Sequence, residues 1–202
     1  MNNSKIQLST EEMQLVTNRD WILTKHRVIE KVYRLFGNLS VEMQSSLIKL
    51  QDTLPVEIVQ SSPKISKGER YKALPYVVLD YPRCFSKKDV FAIRTFFWWG
   101  NYFSISLHLK GKYLLQFAGK INQAIINKQF EDYYVSLSGD EFSFDLHNKN
   151  YFLMEKGASF ASGKAIENIF FKISNKIPLE QWNAASDRLT ATFLHFINVM
   201  TL

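Results

Sequence analysis

Apolar residues fall at helical spacing in the first third of the chain, in short strand-like runs through its middle, and at helical spacing again at its end. Ser9–Thr10–Glu11–Glu12 is a capping-box pattern, with Ser9 and Glu12 three apart, and predicts a short helix. Asp20 can cap a second helix with the stripe Ile22, Ile29, Val32 and Phe36. Gly37–Asn38 reads as its stop. A third helix then carries Leu39, Met43, Leu47, Leu50 and Leu54 to a stop at Pro55. Two antiparallel helices joined by a tight turn are the simplest arrangement. Residues 56–71 are polar, with breakers at Pro63 and Gly68, and read as a long basic loop.

The middle of the chain has period two. Leu74–Tyr81 is rich in β-formers and closed by Pro82. Val90–Trp99 and Tyr102–Leu109 flank Gly100–Asn101, which predicts a two-residue hairpin with Gly100 in the first turn position. That register pairs Trp99 with Tyr102, Phe97 with Ser104, Thr95 with Ser106 and Ile93 with His108. One face then carries Ala92, Arg94, Phe96, Trp98, Phe103, Ile105 and Leu107. The other carries Ile93, Thr95, Phe97, Trp99, Tyr102, Ser104, Ser106 and His108.

Lys112–Lys128 has the helical stripe Leu114, Phe117, Ile121 and Ala124/Ile125. Tyr133–Leu137, Phe142–Leu146 and Tyr151–Met154 read as an antiparallel meander. Residues 157–165 read as a loop or a short helical turn. Asn168–Ile177 fits a strand through Phe171, Ile173 and Ile177, and a helix through Ile166, Ile169, Phe170 and Ile173; the strand is preferred. Pro178 opens a final helix with the stripe Leu179, Trp182, Leu189, Phe193, Phe196/Ile197 and Met200. The expected fold is therefore α+β: one domain over 1–202, with an antiparallel sheet of about five or six strands. An N-terminal helix pair, a middle helix and a long C-terminal helix pack on it.

Composition adds that the core is aromatic, with 16 Phe in 202 residues. The polar N-terminus lacks a signal-peptide core, no run approaches a membrane span, and Cys84 is the single cysteine. The expected compartment is the cytoplasm, with no membrane contact. The net charge of +6 is concentrated: residues 64–88 hold seven basic and two acidic residues, while the rest is nearly balanced. This segment reads either as a solvated loop or as an anion-recognition rim that includes Arg70 and Arg83.

Recognisable catalytic motifs are absent. No phosphate-cradling loop, CxxC or HExxH occurs, and His26, His108, His147 and His195 lie on separate elements. No metal or cofactor is expected. Gly157–Ala158–Ser159–Phe160–Ala161 lacks the second glycine of a nucleophile elbow and is set aside. Cys84 has basic neighbours that can favour a thiolate, although a lone cysteine is more often inert packing. The mixed hairpin face supplies the candidate binding residues: Thr95, Trp99, Tyr102, Ser104, Ser106 and His108, with Arg70 and Arg83 on the adjoining segment. The plainer reading is an ordinary solvated sheet face. Arg94, on the apolar face, calls for a snorkelling route or a carboxylate partner, Asp80 or Asp145.

Arg70–Tyr71–Lys72–Ala73–Leu74–Pro75–Tyr76, followed by paired aromatic strands, resembles YktB-like uncharacterised bacterial α+β domains. The resemblance covers about a fifth of the chain. It implies the fold class and no activity.

Three functions fit these residues. The favoured one is a non-enzymatic binding or regulatory module that takes an acidic small molecule or a protein partner on the hairpin face and basic segment. The second is nucleic-acid binding through 64–88 with Tyr71, Tyr76 and Trp99. The third is an enzyme using His108 as acid or base beside Ser104 or Ser106.

Overall fold

The structure, a computed structural model, describes residues 6–136, 139–154 and 169–201. The chain order is α1 (Thr10–Thr17), α2 (Arg19–Ile48), α3 (Val56–Val59), β1 (Lys64–Tyr71), β2 (Leu74–Phe85), β3 (Val90–Trp98), β4 (Tyr102–Lys110) and α4 (Lys112–Ile126). It continues with β5 (Tyr134–Ser136), β6 (Tyr151–Leu153), β7 (Phe170–Pro178), a 3₁₀ turn (Leu179–Ala184) and α5 (Ala185–Thr201). The strands form one antiparallel sheet in the order β1-β2-β3-β4-β7-β5-β6, so β7 inserts between β4 and β5. The fold is α+β as expected, with seven strands among the described residues rather than five or six.

The expected helix pair is instead one long helix. The apolar stripe of α2 runs unbroken through Ile29, Val32, Phe36, Leu39, Met43 and Leu47, all buried. A mid-helix glycine costs about 1 kcal/mol. Burial of the three apolar residues that follow outweighs that cost, so Gly37–Asn38 does not stop the helix. Ser40 Oγ donates to the Gly37 carbonyl at 2.7 Å.

Residues 56–71 hold α3 and the edge strand β1 rather than a long loop. An edge strand packs little, so β1 lacks the alternation that marks a strand in sequence. Its Gly68 lies under the Tyr76 ring, where a Cβ would stand 2.5 Å from a ring carbon.

The hairpin register differs by one residue from the expected one. Trp98 pairs with Tyr102, Phe96 with Ser104, Arg94 with Ser106 and Ala92 with His108. The loop is three residues, Trp99–Asn101, and Asn101 N–H donates to the Trp98 carbonyl at 3.0 Å. Gly100, at φ +71°, is the second central residue of that turn rather than the first. The physical reason is burial. The slip aligns Phe91, Ile93 and Phe97 with Phe103, Ile105, Leu107 and Leu109 on one face, which the expected register would have split.

That apolar face carries the main core, under α2, α4 and α5. The stripes of α4 (Leu114, Phe117, Ile121) and α5 (Leu189, Phe193, Phe196) are buried there. The opposite face is crossed by residues 139–150, a strap between β5 and β6. Phe142–Leu146 lies in this strap and is not a strand, so the meander reduces to the pair β5–β6. Residues 170–178 are the preferred strand, and Pro178 ends it before the 3₁₀ turn. The serine segment at 157–161 and the 157–165 loop lie outside the described residues. No helix among the described residues is long and apolar enough to cross a membrane.

Candidate functional site

The corrected register gathers charge on the strapped face. Asp80, Arg94, Ser106, Ser174 and Tyr134 form one cross-strand row, and Ala92, His108, Lys172 and Ser136 the next. Arg94 and His108, expected on opposite faces, therefore share one. Arg94 grips Asp80 through Nε at 2.5 Å and Nη2 at 3.3 Å. Its guanidinium lies between the Phe144 and Phe85 rings, 4.8 and 5.6 Å from their centroids. Of the two partners expected for Arg94, Asp80 is the one used, and Asp145 pairs with Lys72. Burial works against the Asp145 carboxylate, yet its hydrogen bonds with Lys72 and the His147 N–H hold its pKa below the ordinary value.

His108 is fully buried between the Phe142 and Phe170 rings. Burial, reinforced by the nearby cations of Lys172, Arg94 and Lys110, pushes its pKa down to about 3. The ring is therefore neutral near pH 7. Its Nε2 is 3.1 Å from Glu141 Oε2 and donates to that carboxylate, which leaves buried Nδ1 as an acceptor without a partner among the described residues. Glu141 also takes Lys110 Nζ at 2.7 Å. Lys172 is 1 % exposed and faces no carboxylate at hydrogen-bond distance among the described residues. Its Nζ donates to the carbonyls of Ser143 at 2.5 Å and Glu141 at 3.2 Å. Burial, aided by Arg94, pushes its pKa down to about 7.

Three tyrosines tie the strap to the sheet. Tyr102 Oη donates to the Phe144 carbonyl at 3.0 Å and accepts from Leu146 N–H at 2.9 Å. Tyr71 Oη accepts from Phe144 N–H at 2.7 Å, and Tyr151 Oη donates to the Ser143 carbonyl at 2.7 Å. The expected binding residues are thus divided. Tyr102, Ser104, Ser106 and His108 share the strapped face, where Ser106 and Ser174 hydroxyls bond at 2.8 Å. Thr95 sits on the other face, buried under the helices. Trp99 is in the turn, its ring against Phe97. Arg83 Nε donates to the Ser62 carbonyl at 2.9 Å, and Arg70 is exposed near the far end of β1. The eight do not form one site. Sequence spacing could not show this, because a one-residue slip moves every side chain of one strand to the other face.

Four of the clefts on the surface of the described residues are lined by none of Ser104, Ser106 and His108. One of about 350 Å³ includes Cys84, Glu57, Lys112 and Tyr113. The Cys84 thiol lies 3.2 Å from the Glu57 carbonyl, and burial pushes its pKa up, so it stays protonated. A second, of about 560 Å³, lies between α4 and α5 beside His195. Among the described residues no three His, Cys, Asp or Glu side chains converge as a metal site.

The other two clefts adjoin in a groove between α2 and β1, with volumes of about 530 and 310 Å³. Ile29 and Tyr33 form its apolar floor, Lys25, Arg34 and Lys67 are its cations, and Glu30 and Glu69 are its carboxylates. Lys67 Nζ stands 5.7 Å over the Tyr33 ring, and Lys25 pairs with Glu69 at 2.6 Å. The basic segment thus contributes to this site through Lys67 on β1. Its tyrosines turn inward: the Tyr71 ring packs on Tyr76, Phe96, Trp98 and Phe144. Next to the groove, α1 and the start of α2 form an arm. The capping box of α1 is complete, with Glu12 N–H to Ser9 Oγ at 3.1 Å and Ser9 N–H to Glu12 Oε2 at 2.7 Å. Yet α1 buries no residue. Ile6, Leu8, Met13, Leu15, Val16, Trp21, Ile22 and Leu23 are all exposed. Sequence reading missed this surface because an apolar stripe looks alike whether its partner is the chain's own core or another molecule.

No protein-family model, curated protein or solved structure matches this chain.

Proposed function

We propose that the chain is a non-enzymatic partner-binding module whose working surface is the α2–β1 groove together with the N-terminal arm. The observation that carries this reading is α1 itself: a fully capped helix that buries nothing and presents apolar side chains to solvent. Clustered exposed apolar residues of this kind mark interaction sites. The groove adds an apolar floor on which three cations outnumber two carboxylates, which suits an acidic amphipathic helix. The basic segment keeps the role expected of it, now through the edge strand β1. The strapped hairpin face is filled by the chain's own side chains, so the binding role moves to the groove.

The test is fluorescence anisotropy with labelled acidic amphipathic peptides of unrelated sequence. Binding is expected, weakening with salt and falling at least tenfold in Arg34→Glu/Lys67→Glu. Equal binding by the variant, or none by any peptide, would remove the groove as a working surface.

A further inference from the structure

We infer that the occupant of the groove is α1 of a second copy of this chain, so that two copies exchange arms across a two-fold axis; this rests on the partner-binding reading above. Three observations carry it. The first is charge. Residues 6–18 hold Glu11 and Glu12 and no Lys or Arg, whereas residues 19–34 hold five basic and two acidic residues. The arm tip is acidic and apolar; the groove is apolar, and its three cations, Lys25, Arg34 and Lys67, outnumber its two carboxylates, Glu30 and Glu69.

The second is length. The eight residues of α1 span about 12 Å. The groove runs along α2 from Lys25 to Arg34, a rise of about 14 Å. One arm tip fills one groove.

The third is what each part lacks alone. A short isolated helix is marginal in water and takes its stability from packing an apolar face. Here α1 has no buried residue within its own chain. It leaves α2 at Asn18, whose non-helical backbone (φ −83°, ψ 87°) breaks the two helices apart. Reciprocal docking would cover Met13 and Val16 of each arm and the half-buried Tyr33 of each groove. Each copy offers one arm and one groove, and across a two-fold axis the two contacts are reciprocal, so the assembly closes at two.

The experiment is sedimentation velocity on the full chain from about 1 to about 200 μM, the range in which small interfaces associate. A dimer weakened by salt is expected. Two full-length variants separate the halves: Met13→Glu/Val16→Glu spoils the arm, and Arg34→Glu/Lys67→Glu spoils the groove. Each alone should be monomeric over that range. Mixed, they should form a one-to-one complex, because one intact arm still meets one intact groove. A wild type that is monomeric throughout, a dimer unchanged in the arm variant, or a mixture that stays monomeric would each overturn arm exchange. A monomeric wild type that still binds the acidic peptides through Arg34 and Lys67 would overturn arm exchange alone and leave the groove as a site for a different partner.

Discussion

At the scale of single residues, the interior of the strapped face is the unusual feature. A lysine amine with almost no exposure is retained because it can shed its proton and because two strap carbonyls accept its hydrogens. Its pH linkage follows from the direction of the shift. The folded pKa lies near 7 and the unfolded one near the ordinary 10.5, so between those values the unfolded chain binds more protons. Stability should therefore rise as pH climbs from 7 towards 10, and the full cost should be present below 7. Relative to Lys172→Met, the wild type should gain a few kcal/mol over that window in denaturant unfolding. Parallel curves for the two proteins would show that Lys172 is not the titrating group. Arg94 illustrates what a sequence can narrow: an arginine among apolar neighbours needs a snorkelling route or a carboxylate, and Asp80, directly across the ladder, is the one it takes.

At the scale of elements, the strap is held by hydroxyls more than by its own regular structure. Tyr102 satisfies two backbone groups of the strap at once. Tyr102→Phe removes both partners, with an expected loss of about 2 kcal/mol in denaturant unfolding. A loss too small to measure would mean that the strap satisfies those groups without Tyr102. The hairpin turn is the second element-scale feature. Gly100 has no neighbour that a Cβ would meet, so only its positive φ opposes substitution. Gly100→Ala should cost about 1 kcal/mol, and Gly100→Asn less, since Asn tolerates that region. Equal stability of all three proteins would argue against this turn geometry. The two hairpin strands themselves were legible from their β-branched and aromatic runs. Their pairing was not, since alternation within a strand says nothing about its partner's offset.

At the scale of the whole molecule, the described chain is a sheet with two unequal layers and an arm that adds no core. Removing residues 1–17 should therefore leave the body's stability nearly unchanged when unfolding is measured on dilute, monomeric protein. A drop of more than about 1 kcal/mol would mean that the arm packs on its own body. This separates the arm from α5, whose buried stripe of Leu189, Phe193 and Phe196 belongs to the main core.

Sequence alone determined the α+β class, the capping box at Ser9, the buried stripes of α4 and α5, a strand through Phe171, Ile173 and Ile177 and the concentration of charge in 64–88. Each of these depends on a local period, a cap or a count. Tertiary structure decided the rest. It carried α2 through Gly37, because the stripe beyond that glycine had a core to enter. It made an edge strand of 64–71, because β2 offered a free edge. It set the hairpin register that brought Arg94 beside His108, because only that offset buries both apolar sets on one face. The exposed arm belongs here too: amphipathicity shows that a helix has a face to bury, and only the packed molecule shows which faces its own core leaves uncovered.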